Sequence, residues 1–83
     1  MEAKITFYNE ELKRLDSKRV KAQFRSKRTL DNLKATAEKY LSEISKESHS
    51  AFDTLKDNLT RFIDKIEQDI KCYYELFLMA YLH

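Results

Sequence analysis

The chain has 83 residues, no glycine, no proline, one cysteine and a formal charge of +2, which leaves room for a single domain over 1–83. One cysteine, Cys72, excludes an intramolecular disulfide, and with only His49 and His83 beside it the ligand set argues against a structural zinc site. Phosphate-cradling loops need glycine, and tight turns of a β-rich domain need glycine or proline, so the composition predicts an all-α protein.

The opening MEAKITFYNEEL has acids close behind its start and no long apolar run, so it does not read as a signal peptide. Leu12 and Leu15 begin an apolar stripe that degrades downstream at Arg19, Ala22 and Ser26. Val20 and Phe24, four residues apart, point to a different side. This loss of phase falls inside a basic block, Ser17 to Arg28, whose charge is +6 against −1 for 1–16, −1 for 29–47 and −2 for 48–83. The block therefore holds the whole basic excess.

The stripe resumes with Leu30, Leu33, Ala37, Tyr40, Leu41 and Ile44, and the polar run SKESHS over 45–50 predicts a turn. The final segment is the clearest helix. Phe52, Leu55, Leu59, Phe62, Ile63, Ile66, Ile70, Tyr73, Tyr74, Phe77 and Tyr81 stay on one face at 100° per residue. Ser50 is placed to cap it, with Asp53 three residues on.

Two architectures satisfy this pattern. The favoured one is a long antiparallel helical hairpin, with helices at about 8–47 and 50–82, because no glycine or proline forces a bend. The alternative is a three-helix bundle over 5–26, 29–47 and 50–82, with Thr29 capping the second helix and Asp31 in its first turn. In either case packing is helix on helix, coiled-coil-like. A chain this short with one mating face per helix is expected to complete its core by self-association or on a larger protein partner.

Two surfaces carry the functional expectation. The first is the C-terminal stretch, where the seam of Phe52, Leu59, Phe62, Ile66, Ile70, Tyr73 and Phe77 gives way to a helix that is apolar nearly all round. Tyr73, Leu76, Phe77, Met79, Tyr81 and Leu82 form its expected protein interface, rich in aromatics and methionine and poor in charge. The plainer reading is a core end packed under Phe7, Tyr8 and Leu12. The second surface is the basic segment, with Lys18, Arg19, Lys21, Phe24, Arg25, Lys27 and Arg28 as a contact for an acidic protein or, less favoured, nucleic acid. Its plainer reading is a solvated helix face.

Catalysis finds little support. Asp53, Asp57 and Asp64 share a face with Arg61 and Lys65, which reads as solvent-facing and not as a site that shifts a pKa. Ser48, His49 and Ser50 lack an orienting acid. Cys72 reads as a small apolar filler. The stretch from Cys72 to Leu82 is interrupted by Glu75 and falls short of the ~18 residues of a membrane-spanning helix. The expectation is a non-enzymatic, cytoplasmic helical interaction protein with no cofactor.

Overall fold

In the computed structural model, residues 2–82 are described, Leu82 by its backbone only. The chain is all-α among these residues. Helix α1 spans Glu2–Ala22, α2 spans Lys27–Ile44 and α3 spans Asp53–Leu82, with a 3-10 turn at Ser50–Phe52 leading into α3. Of the two expected architectures the three-helix bundle is the one present, and the unbroken helix over 8–47 does not form.

The break between α1 and α2 is made without glycine. Phe24 adopts φ 62°, the left-handed conformation that usually falls to glycine at a helix end. The backbone N–H groups of Arg25 and Ser26 both donate to the Ala22 carbonyl, each at 3.1 Å, which satisfies a helix-terminal acceptor. Ser26, and not Thr29, then caps α2. Its backbone is extended at φ −147° and ψ 98°, and its Oγ accepts from the Thr29 N–H at 3.2 Å. Asp31 lies one turn in, where it receives a 2.7 Å bond from Lys27 Nζ.

The second connection also differs from the expected cap. His49 Nδ1 accepts from the Ala51 N–H at 3.0 Å, and the Phe52 N–H donates to the His49 carbonyl at 3.0 Å. Phe52 is thereby turned into the core. Lys56 Nζ reaches back to the Glu47 carbonyl at 2.7 Å and ties α3 to this connection.

Cross-helix pairs give the topology. Lys4 bonds Glu47, Tyr8 bonds Glu43 and Tyr40 bonds Glu11, so α1 and α2 run antiparallel. Lys34 pairs with Glu67 at 3.5 Å and Lys27 lies over the Tyr74 ring, so α2 and α3 are antiparallel as well. It follows that α1 runs parallel to α3, and Arg19 meets Asp69 between them. The core between them consists of Leu15, Ala22, Leu30, Leu33, Ala37, Ile44, Phe52, Leu55, Leu59, Phe62, Ile63 and Ile66.

This topology places the ring cluster of Phe7, Tyr8 and Tyr40, with centroids 5.2–6.3 Å apart, at the end of the bundle where α3 begins. The expectation that Phe7, Tyr8 and Leu12 cover the C-terminal stretch is corrected accordingly. Leu12 lines a groove with Asn58, Arg61, Phe62 and Lys65, in the first half of α3.

Lengths then decide what is left over. At 1.5 Å per residue, the 30 residues of α3 span about 45 Å, against about 32 Å for the 21 of α1 and about 27 Å for the 18 of α2. The bundle is 53 Å long and only 18 by 15 Å across. Because the α1–α2 turn sits level with Tyr74, the residues of α3 beyond it project past the bundle.

Candidate functional site: the exposed end of α3 and its basic rim

The stripe of α3 is covered only as far as its neighbours reach. Ile66 is fully buried, Ile70 and Tyr73 are half-buried, and from Tyr74 onward every large apolar side chain described is at least half exposed or close to it. Tyr73 and Phe77 were expected in the helix–helix seam. Tyr73 sits at its margin and Phe77 lies outside it, 60% exposed, because α1 and α2 have already ended.

The projecting stem thus carries Tyr74, Leu76, Phe77, Leu78, Met79 and Tyr81 as exposed groups. Glu75 is the only charged residue among 72–82. Of the expected interface residues, Leu76, Phe77, Met79 and Tyr81 lie on this stem and Tyr73 at its base, while the side chain of Leu82 falls outside the described residues. A helix apolar around most of its circumference is stable only when something covers it.

Phe24 belongs to the same surface. Held out by its left-handed backbone, it lies against the base of the stem, where Phe24, Tyr73, Leu76, Phe77 and Ala80 line a groove of 180 Å³. The two candidate surfaces, separate in the sequence, meet at this residue. Val20, the other off-stripe residue, stays exposed on α1.

The six cations of the basic block have three different fates. Lys18, Lys21 and Arg25 are exposed and line a groove of 270 Å³ together with Ala22, Ser26 and Thr29; Arg28 is exposed beside them on α2. Lys27 is bound to Asp31 and lies 5.2 Å from the Tyr74 ring centroid. These contacts, the Asp31 hydrogen bond foremost, hold its ammonium well above the usual lysine range.

Arg19 is withdrawn altogether. Its side chain is 13% exposed and bonds Asp69 at 2.7 Å and Asp16 at 3.0 Å. Burial pulls its pKa down, but hydrogen bonds to the two carboxylates outweigh this and leave it raised. Gln23 donates to the other Asp69 oxygen at 3.1 Å. Its place in the contact surface is therefore corrected: Arg19 joins α1 to α3. Sequence reading missed this pair, although a cation at a stripe position is itself a signal that a facing helix supplies an acid.

The remaining candidates stay isolated. Asp53, Asp57 and Asp64 are exposed on α3, with Asp57 paired to Arg61 at 3.1 Å. Among the described residues no three of His, Cys, Asp and Glu come together to hold a metal ion. Cys72 is half-buried and accepts from Gln68 Nε2 at 3.6 Å. No described helix is long and apolar enough to cross a membrane. Set against protein-family models, curated proteins and solved structures, the chain matches none of them.

Proposed function

We propose that this chain is a non-enzymatic helical interaction module that docks on protein through the exposed end of α3. The observation that carries the reading is the stem itself, which presents Leu76, Phe77, Leu78, Met79 and Tyr81 to solvent beyond the reach of α1 and α2. Exposed apolar surface of this concentration is costly unless covered, and aromatic and methionine enrichment is the composition of interface centres. Lys18, Lys21, Arg25 and Arg28, exposed on α1, α2 and the turn between them, add a separate basic surface that would set charge selectivity towards a partner.

Nucleic acid is the weaker reading. Two of the six cations are engaged within the bundle, Arg19 with Asp69 and Lys27 with Asp31. Four remain, so phosphate binding would show a log–log salt slope of at most about −4.

A photo-crosslinking amino acid placed at position 77, and separately at the exposed position 35 of α2, tests the docking reading. Discrete protein adducts are expected from position 77 and none from position 35, with the adducts lost on Leu76→Asp. Adducts from position 35 alone, or binding to a labelled oligonucleotide that survives Leu76→Asp and collapses with salt, would contradict it.

A further inference from the structure

The groove between the end of α1 and the start of α2 is separate from the stem, and its charge is not answered within the chain. Lys18, Lys21, Ala22, Arg25, Ser26 and Thr29 line it, and its volume is 270 Å³. The three cations are exposed, and no acidic residue is among the lining groups. We infer that this groove is a second docking site, which receives an acidic segment of a partner protein, with Asp or Glu side chains in a row.

A pairing rule that holds elsewhere in the chain is broken at these three residues. Cations are answered by an acid three or four residues away in Glu10–Lys13, Glu11–Arg14, Asp16–Arg19, Lys27–Asp31 and Asp57–Arg61. The other cations outside the groove also have an Asp or Glu at that spacing, except Lys4, which bonds Glu47. Lys18, Lys21 and Arg25 have none. Their neighbours at that spacing are one another, Arg14, Arg28 and uncharged residues, and among the described residues none of the three forms an ion pair. Like charges so placed repel, and an acidic partner turns that repulsion into attraction.

The lining favours protein over other polyanions. Lys18 and Lys21 lie about 4.5 Å apart along α1, the spacing that acids three residues apart present on a partner helix. The hydroxyls of Ser26 and Thr29 bond each other at 2.9 Å, which uses one of their two hydrogens and leaves the other for a carboxylate. A single-stranded nucleic acid needs aromatic rings on which to stack its bases, and the groove has none. Duplex binders make about 6–10 phosphate contacts, at least twice what three cations supply. A membrane surface needs apolar side chains beside the cations, and Ala22, the apolar residue of the lining, is buried.

Amide NMR spectra of the isotope-labelled chain, titrated with an octaglutamate peptide, test this. Shifts are expected over residues 18–29 and not around Lys39, Lys46 and Lys71, which are exposed cations elsewhere on the bundle. The double change Lys21→Glu with Arg25→Glu should weaken binding at least ~10-fold with unchanged helical content, since both side chains are exposed. Leu76→Asp should leave the peptide bound as tightly as before, which separates this groove from the stem.

Shifts as large around Lys39, Lys46 and Lys71 as over 18–29 would overturn the site, since they would report a general response to cationic charge. Binding that survives the double change would do the same, as would the absence of shifts at ~1 mM peptide. Tighter binding of octathymidylate than of octaglutamate would give the groove to nucleic acid. Pelleting with phosphatidylserine-containing vesicles that the double change abolishes would give it to a membrane surface. Shifts over 18–29 that grow with the concentration of the chain alone would give it to a second copy. Each of these three overturns the acidic protein partner while leaving the reading of the stem untouched.

Discussion

The guanidinium of Arg19 on α1 lies 2.7 Å from the carboxylate of Asp69 on α3, with both side chains at least 85% covered. Removing one member of such a pair strands the other, while replacing both by apolar groups relieves both desolvation costs. Asp69→Ala should therefore destabilise the fold by about 2–3 kcal/mol, and the double replacement Arg19→Met with Asp69→Leu should fall within about 1 kcal/mol of wild type. Urea denaturation of the three chains measures this. An Asp69→Ala chain as stable as wild type would show that the pair contributes nothing.

Phe24 separates stability from association. A bulky residue at φ 62° costs about 1–2 kcal/mol relative to an ordinary backbone conformation, a cost that glycine largely avoids. Placed in a Leu76→Asp chain so that association does not intervene, Phe24→Gly should raise stability by about 1 kcal/mol, or ~4–8 °C in thermal midpoint. In the otherwise wild-type chain the same change should weaken docking, because it removes one wall of the 180 Å³ groove. Movement of both quantities in the same direction would contradict the role given to this ring.

Two groups at the α1–α2 seam predict where stability depends on pH. Glu11 accepts bonds from Arg14 at 2.8 and 2.9 Å and from the Tyr40 hydroxyl at 2.6 Å, and these, Arg14 first, lower its carboxyl to about 2. A depressed acid contributes stability above its unfolded pKa, and that contribution is lost as pH falls from ~4.3 towards 2. Tyr8 donates to Glu43 at 2.7 Å; this bond, then burial, raises its phenol to about 12. Its contribution is complete below ~10 and is lost as pH rises through 12. Glu11→Gln should flatten the acid limb and also part of the alkaline limb, because the same carboxylate raises the Tyr40 phenol, whereas Tyr8→Phe should flatten the alkaline limb alone, read from thermal midpoints across pH.

The core and the stem should respond differently to the same truncation. Leu59 is fully buried whereas Leu78 is 55% exposed on the projecting stem. In the dissociated chain Leu59→Ala should cost about 2–5 kcal/mol, and Leu78→Ala no more than about 0.5 kcal/mol. Equal losses in calorimetry would place Leu78 inside the folded core.

The helical class was legible from the missing glycine and proline, and the α3 stripe from Phe52 to Ile66 was legible from its spacing. The break at 23–26 was legible only as a loss of stripe phase at Val20 and Phe24, which left the three-helix reading as the alternative, because the left-handed position falls to Phe24 instead of glycine. Arg19 hid the continuity of the α1 stripe: it occupies a seam position and is neutralised from a helix fifty residues away. Ser26 read as a weak stripe position when it is the cap of α2. The apolar C-terminal stretch was visible in the sequence, and so was its excess over what one mating face could cover. What could not be read was its isolation, which depends on α1 and α2 ending level with Tyr74, nor its meeting with Phe24, which depends on the turn between them.

Amide hydrogen exchange over residues 75–82 tests the central claim most directly, since it reports whether the stem is covered. With the protein that position 77 crosslinks bound, those amides should be protected well beyond free-peptide rates, with the protection lost on Leu76→Asp while residues 59–66 remain slow. Exchange at free-peptide rates with that protein present, in the wild type and the variant alike, would mean that the end of α3 stands bare and docks on nothing.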